Sequence, residues 1–431
     1  MTEIGHTHFP GPVDAQFARR TPVLIRILVL LLVGVMAAAA VWGMVRLWPR
    51  GSVPVTAPTA YTASGAELLH ASVVSMTQPC PAVAPDEMST TQGPPDCGNL
   101  TVRLNDGNIE TVSITTDVSR SGLRAGDTVR MLKIPDAAIE QAGAQGAQLD
   151  SPYSFVGIDR PAPLILLVVI FVLVALVVAR WRGLAALISL VLGGAVLIVF
   201  VAPALLRGEN PVLVGLTASG VTMLVVLYLT HGVSLRTSTA LLGTGLGLLL
   251  TAATGLLASD AARLTGAGDD NSSVLQSLAS AVRLHDLVAC GVLIAAFGVL
   301  NDVTVTQTSA VWELRAASPT TGRRALFSSA MRIGRDHLAS TVYTIVFAYA
   351  GAALPVLLLI ALSGSFDTLF LSEDVTAEVV RMLASAIGLM LAIPATTAVA
   401  VMVAPPPSAA AAAAVPSGHG GVARRERLAE L

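Results

Sequence analysis

The feature that most constrains this chain is a series of apolar stretches of helix length. They lie near residues 23–46, 162–180, 184–204, 211–230, 238–258, 285–311, 338–362 and 378–403. A bilayer core about 30 Å thick takes about 20 mostly apolar residues of helix to cross. Runs such as Leu164–Ala179 contain no charge at all. Lipid offers the backbone no hydrogen bonds, so segments of this kind satisfy their own as helices. Composition agrees, with 54% hydrophobic and 13% charged residues, against about 25% charged in a soluble domain. The expected fold is an all-α polytopic membrane bundle of about eight transmembrane helices, with the lipid bilayer as its surroundings. The net charge of −2 gives no reason to expect a nucleic-acid partner.

The first apolar stretch follows Arg19, Arg20 and Arg26, as a signal peptide would. It is too long for a signal-peptide core, and its VRLWPR exit lacks a small-residue cleavage site, so residues 23–46 read as a retained anchor. Arginine sets the orientation. With residues 1–22 as a cytoplasmic tail, five basic groups fall on the cytoplasmic side: the N-terminal one, Arg180/Arg182, Arg236, the cluster from Arg315 to Arg335, and Arg424/Arg425/Arg427. The opposite short loops carry only Arg207, Arg263 and Arg283. Both termini are then cytoplasmic.

That orientation exports residues 50–158. NLTVRL and NIETVSITT alternate as strands do and flank the turn Asn105-Asp106-Gly107, while GLRAGDTVRML reads as another turn and strand. A small extracytoplasmic β-domain is expected, a barrel or sandwich and possibly OB-like. Outside the cytoplasm, Cys80 and Cys97 can form a disulfide, whereas Cys290 sits in an apolar run as a small packing residue. Residues 136–150 read as a connection to the membrane, and 404–431 as a disordered cytoplasmic tail. The basic stretch 312–336 has two readings, an amphipathic helix on the membrane surface or a plain positive-inside connector.

Ionisable groups at membrane depth are costly, and each is a functional hypothesis by default. In the sixth stretch Gly298, Asp302, Thr306, Ser309 and Glu313 share one helical face. Asp302 is placed about two-thirds of the way across from the outside, with Asn301 and Thr304 beside it. Desolvation of such a carboxylate favours its protonated form, which suits reversible protonation. In the seventh stretch His337, Thr341, Thr344, Ala348 and Gly351 share a face. In the eighth, Ser385, Gly388, Ala392 and Thr396 form a small-residue stripe that permits close packing. The last three spans are expected to pack together around Asp302. Stripes of Thr, Ser and Gly also serve as plain helix-packing contacts, and Glu313 has a second reading as a solvated interfacial acid or a partner of Arg315.

HExxH, GxSxG and a phosphate loop are missing from the sequence, so no enzyme activity and no cofactor are expected. Gly266-Ala267-Gly268-Asp269 spells the GxGD of intramembrane aspartyl proteases, but it lies in a polar loop rather than inside a span.

RWRGLAALISLVLGG, LYLTHGVSLRTSTALLGT, GVLNDVTVTQTSAVWELR, IGRDHLASTVYTIVFAYAGAALPVLL and EVVRMLASAIGLMLAIPATTAVA occur in that order. Residues 160–403 thereby resemble the YibE/F family of bacterial membrane proteins, which implies a seven-helix membrane domain in a bacterial cytoplasmic membrane. LNDVTVTQTSAVWELR followed by SAMRIGRDHLASTVYTIVFAYAGAALPVLLLIA is, more distantly, similar to the last spans of SecD and SecF, members of the resistance-nodulation-division (RND) permease superfamily. That likeness implies a proton-coupled role, with Asn301 and Asp302 on the intramembrane acid position, Glu313 and Arg315 on the following turn, and Thr341 and Thr344 on a Thr-rich run. In this chain the loop 259–284 is too short for the large outside domain of RND proteins, and a partner membrane protein or a homo-oligomer is one way to supply what is lacking. Two functions are therefore expected: a permease-like transporter with a proton relay of Asp302, Asn301, Thr306, Glu313, Thr341 and Thr344, or a non-transporting scaffold whose β-domain binds a partner.

Overall fold

The computed structural model describes residues 19–51, 67–77, 98–135, 139, 151–268, 272, 274–276, 279–363 and 372–406. The N-terminal tail before residue 19, both Cys80 and Cys97, most of 136–150, Asp269 and the C-terminal tail beyond 406 lie outside these. The chain forms two compact units, Val55–Val178 and the remainder, Met1–Pro54 with Ala179–Leu431.

The first unit contains one five-stranded antiparallel sheet: β1 (Glu67–Met76), β2 (Asn99–Leu104), β3 (Ile109–Ser113), β4 (Thr128–Lys133) and β5 (Tyr153–Ile158), in the order β3-β2-β1-β4-β5. Alternation does what the sequence anticipates. Leu100, Val102 and Leu104 of β2 are buried while Arg103 faces out. Gly107, at φ +88, supplies the left-handed turn residue between β2 and β3, and the Asp106 carboxylate accepts from the Asn108 N–H at 3.0 Å. The sheet bulges between Val73 and Ser75 and curls until β3 approaches β5. Ala71, Val73, Val112, Val129 and Met131 complete the buried side. The result is a curled half-barrel rather than a two-sheet sandwich.

Where two apolar spans are expected, at 162–180 and 184–204, two helices meet at a kink at Arg180. Helix α2 covers Pro161–Val196, departs from helical geometry only at Arg180 (φ 54, ψ −130), and continues through a π-helical turn, Leu197–Val201, into Ala202–Leu206. The wider turn accommodates Pro203, which has no N–H to give and crowds the carbonyl four residues back. The 44-residue apolar run Pro163–Leu206 holds about twice the residues that one crossing takes, and Arg180 interrupts it.

The second unit also holds α1 (Val23–Arg46), α3 (Pro211–His231), α4 (Leu235–Ala261), α5 (Leu284–Ala317), α6 (Arg323–Ala352), α7 (Leu354–Ser363) and α8 (Glu373–Val403). Asn210 and Ser234 cap α3 and α4 through their side chains. Among the described residues six helices are long and apolar enough to cross a membrane, or seven if α6 and α7, bent by 71°, form one broken span. The basic stretch 312–336 is not a separate surface helix. Its beginning continues α5 to Ala317 and its end is the start of α6, which leaves only a short turn between them.

Three helices form the tightest part of this unit. Gly243, Gly247 and Gly255 of α4 turn toward Thr396 and Ala392 of α8 and toward Leu300 and Val292 of α5. A β-carbon at 247 would lie 2.9 Å from both Ala392 Cβ and Leu300 Cδ2. Small residues thus let three backbones approach, which is how helices associate where lipid removes the hydrophobic drive. Of the stripe Ser385, Gly388, Ala392 and Thr396, the last three pack closely against α4, while Ser385 lies beside Tyr349 of α6.

Candidate functional site

Helix α4, at 27 residues, is about 40 Å long and gives a scale for depth. Gly247 at its middle faces Leu300 of α5, so Asp302, two residues further, lies within a turn of the bundle's mid-depth.

Two faces of α5 carry its polar residues. The inward face holds Thr304, Gln307, Thr308 and Arg315, all buried, with half-buried Asn301. Thr304 and Thr244 of α4 share a hydrogen bond of 2.5 Å between their hydroxyls, and Gln307 donates to the Ala330 carbonyl of α6 at 2.9 Å. Arg315 is 2% exposed and donates to the carbonyls of Thr321 (2.6 Å) and Pro319 (3.3 Å), clasping the α5–α6 turn. The other face holds Asp302, Thr306 and Glu313, all exposed.

Asp302 is therefore not enclosed by the last three spans. Its side chain is 76% exposed, and its neighbour across the groove is His337 of α6, Nε2 to Oδ2 at 3.9 Å, with that ring 35% exposed. The reason is angular. Successive helical residues are 100° apart, and α5 turns Asn301, Thr304 and Thr308 inward, which leaves Asp302 outside.

The other candidate relay residues are placed as follows. Thr306 donates to the carbonyl of Asp302 at 2.9 Å, Thr341 to that of His337 at 2.9 Å, and Thr344 to that of Ser340 at 3.2 Å. These hydroxyl protons are committed to their own helices, the usual resting state of a helical threonine. The Asn301 Oδ1 is buried without a hydrogen-bond partner. Glu313 lies eleven residues, about 16 Å, along α5 from Asp302.

Two further groups were not expected from the sequence to come together, although it marks Arg236, Ser309 and Ser385 separately. At one end of the bundle His231, Arg236, Thr237, Ala240, Val305 and Ser309 line a cavity of about 10 Å³, near the lower limit for one water. Arg236, Arg182 and Asp302 all act electrostatically on His231. At the other end Arg381 of α8 pairs with Glu378 at 2.5 Å, and Tyr349 of α6 lies beside Ser385. The three-residue spacing of Glu378 and Arg381 near the start of an apolar stretch was the available signal.

The glycines of the GxGD motif, Gly266 and Gly268, pack against the start of α8, and Asp269 lies outside the described residues. Glu373, the first residue of α8, accepts from the N–H groups of Thr265 and Gly266, each at 2.6 Å, and from the Thr265 hydroxyl. Gly266 adopts φ +77, and Gly268 leaves room for Glu373 and Asp374. Nearby, His285 lies between Asp260 (3.2 Å) and Asp286 (3.1 Å). Among the described residues no group of three or more His, Cys, Asp or Glu is placed to hold a metal ion.

Several long apolar helices, packed through glycines and hydroxyls with a carboxylate at mid-depth, define a membrane protein that crosses its bilayer repeatedly. A family model described as YibE/F-like protein matches residues 167–406, more than half of the chain, and the chain belongs to that family. Neither a curated protein nor a solved structure matches it.

Proposed function

We propose that the protein is a permease-like component of a bacterial cytoplasmic membrane that couples movement of a substrate to protons through Asp302. The observation carrying this reading is the facing of Asp302 and His337 from two helices at the middle of the bundle. Closing this separation by about 1 Å would make a hydrogen bond along which a proton can pass, and moving one charge across 100 mV is worth about 2.3 kcal/mol. The distant likeness of the last three spans to SecD and SecF supports the same role for Asp302.

The arginine distribution supports cytoplasmic termini, an extracytoplasmic β-domain over residues 50–158, and eight crossings, with the break at Arg180 dividing the 44-residue run into two. Proton uptake by reconstituted wild-type and Asp302→Asn proteins tests the coupling.

The exposure of Asp302 also favours a second reading, a scaffold whose polar helix face and β-domain bind other proteins. In that case Asp302→Asn leaves proton permeability unchanged, and removal of the β-domain abolishes partner binding.

A further inference from the structure

The cluster around Arg381 is left incomplete by the protein's own contacts. Glu378, Arg381 and Ser385 of α8 fall within about 60° of one another around the helix axis, and Tyr349 of α6 lies beside Ser385. Glu378 holds one end of the guanidinium, accepting from Nη1 at 2.5 Å. The Nε–Nη2 edge faces Gly291 of α5 instead. Apart from the backbone of α5 itself, a β-carbon at 291 would meet only those two nitrogens, Nε at 3.5 Å and Nη2 at 4.0 Å. The missing side chain leaves an atom-sized cradle in front of a guanidinium edge.

Three polar atoms here are buried without a hydrogen-bond partner among the described residues: Arg381 Nε and the hydroxyl oxygens of Tyr349 and Ser385. Ser385 is 3% exposed. Buried polar groups are nearly always satisfied, and leaving one unpaired is costly. A guanidinium edge and two hydroxyls are all able to donate, and the group that satisfies them together is an oxygen-rich anion. The cradle also lies on the face of α5 that carries Asp302. Gly291, Ala295, Gly298 and Asp302 follow at steps of four, three and four. No atom lies within 4 Å of where a β-carbon at Gly298 would be, and Ala295 is exposed. Along α5 the cradle is eleven residues, about 16 Å, from Asp302.

We propose that Arg381, Tyr349 and Ser385 bind an oxyanion, a carboxylate or phosphate group, with one of its oxygens seated in the Gly291 cradle. Glu378 is a positioning residue: it occupies Nη1 and leaves the Nε–Nη2 edge to the ligand. The site rests on this geometry alone. That the anion is the cargo moved with protons through Asp302 rests on the permease reading.

The test is binding of radiolabelled acetate and inorganic phosphate to the full-length protein in a maltoside detergent, which carries no anion of its own. Saturable binding of at least one probe is expected in wild type. Gly291→Ala fills the cradle at ordinary van der Waals distances, so it is expected to fold and to weaken binding at least tenfold. Arg381→Lys keeps the charge, lacks the planar edge and is expected to weaken binding as much. Thermal melting confirms the fold of each variant. Phosphatidylglycerol followed by native mass spectrometry tests the lipid source of the same chemistry: its retention by wild type and loss in Gly291→Ala, without binding of the free anions, assigns the site to a headgroup phosphate. A wild type that binds none of the three, or a folded Gly291→Ala that binds as wild type does, overturns the site. Gly291-dependent binding in a protein that takes up no protons upholds the site and overturns only its link to Asp302.

Discussion

Gly388 of α8 and Thr251 of α4 are packed so closely that a β-carbon at 388 would overlap the threonine hydroxyl. That hydroxyl already donates to the Gly247 carbonyl at 2.9 Å, so it cannot turn aside without losing a bond. Gly388→Val is therefore expected to force α4 and α8 apart and to destabilise the bundle by about 1–3 kcal/mol, the usual cost of overpacking. Thermal unfolding in detergent measures it. A melting temperature equal to wild type would mean that the two helices are not in contact there.

Glu373 ties the start of α8 to the loop after α4 through bonds to Thr265 and Gly266. Hydrogen bonds to a charged group contribute about 1.5–3 kcal/mol each when made without loss elsewhere. Glu373→Ala is expected to speed amide exchange at residues 264–268 by at least tenfold while leaving the α4–α5–α8 core protected. Hydrogen-exchange mass spectrometry reads both regions in one experiment.

Lys133 is the one lysine in the sequence, and it is exposed on β4. An amine reagent that does not cross membranes is expected to label it in intact cells, and Lys133→Arg is expected to remove that labelling. Labelling of Lys133 only after the cells are opened would place the β-domain in the cytoplasm and reverse the orientation inferred from arginine.

Strands β1 and β2 remain paired up to Thr77 and Asn99, where the Thr77 N–H donates to the Asn99 carbonyl at 3.0 Å. Cys80 and Cys97 follow and precede this pair by three and two residues. The pair brings the ends of that segment together, and a Cys80–Cys97 disulfide is expected. Closing a loop of this length stabilises by about 3 kcal/mol, so Cys80→Ser should lower the stability of the β-domain by a similar amount. Peptide mapping without reductant detects the bond directly.

Much of this architecture can be read from the residues alone. Charge-free runs set the helices, alternation in NLTVRL sets the strand face, and the spacing of Gly388, Ala392 and Thr396 announces close packing. What could not be read is the rotation of α5. Asn301 and Asp302 are adjacent, and both faces of that helix carry hydroxyls, so the pattern does not say which one turns inward. Packing decides it: Gly247 admits Leu300, and Thr244 and Gln307 bond inward, which leaves Asp302 on the other side. The link between Asp302 and His337 depends on the antiparallel register of α5 and α6, which only tertiary contacts fix. The break at Arg180 was legible, because Arg180 and Arg182 interrupt the apolar run between the two expected spans.

The central claim is that Asp302 carries protons. The most direct measurement is proton uptake into proteoliposomes that enclose a pH-sensitive dye, with wild type, Asp302→Asn and Asp302→Glu compared at matched protein content and orientation. Uptake by wild type is expected to fall at least tenfold in Asp302→Asn and to recover in part in Asp302→Glu. Equal uptake by wild type and Asp302→Asn, with both proteins folded, would contradict a proton-carrying role for this carboxylate.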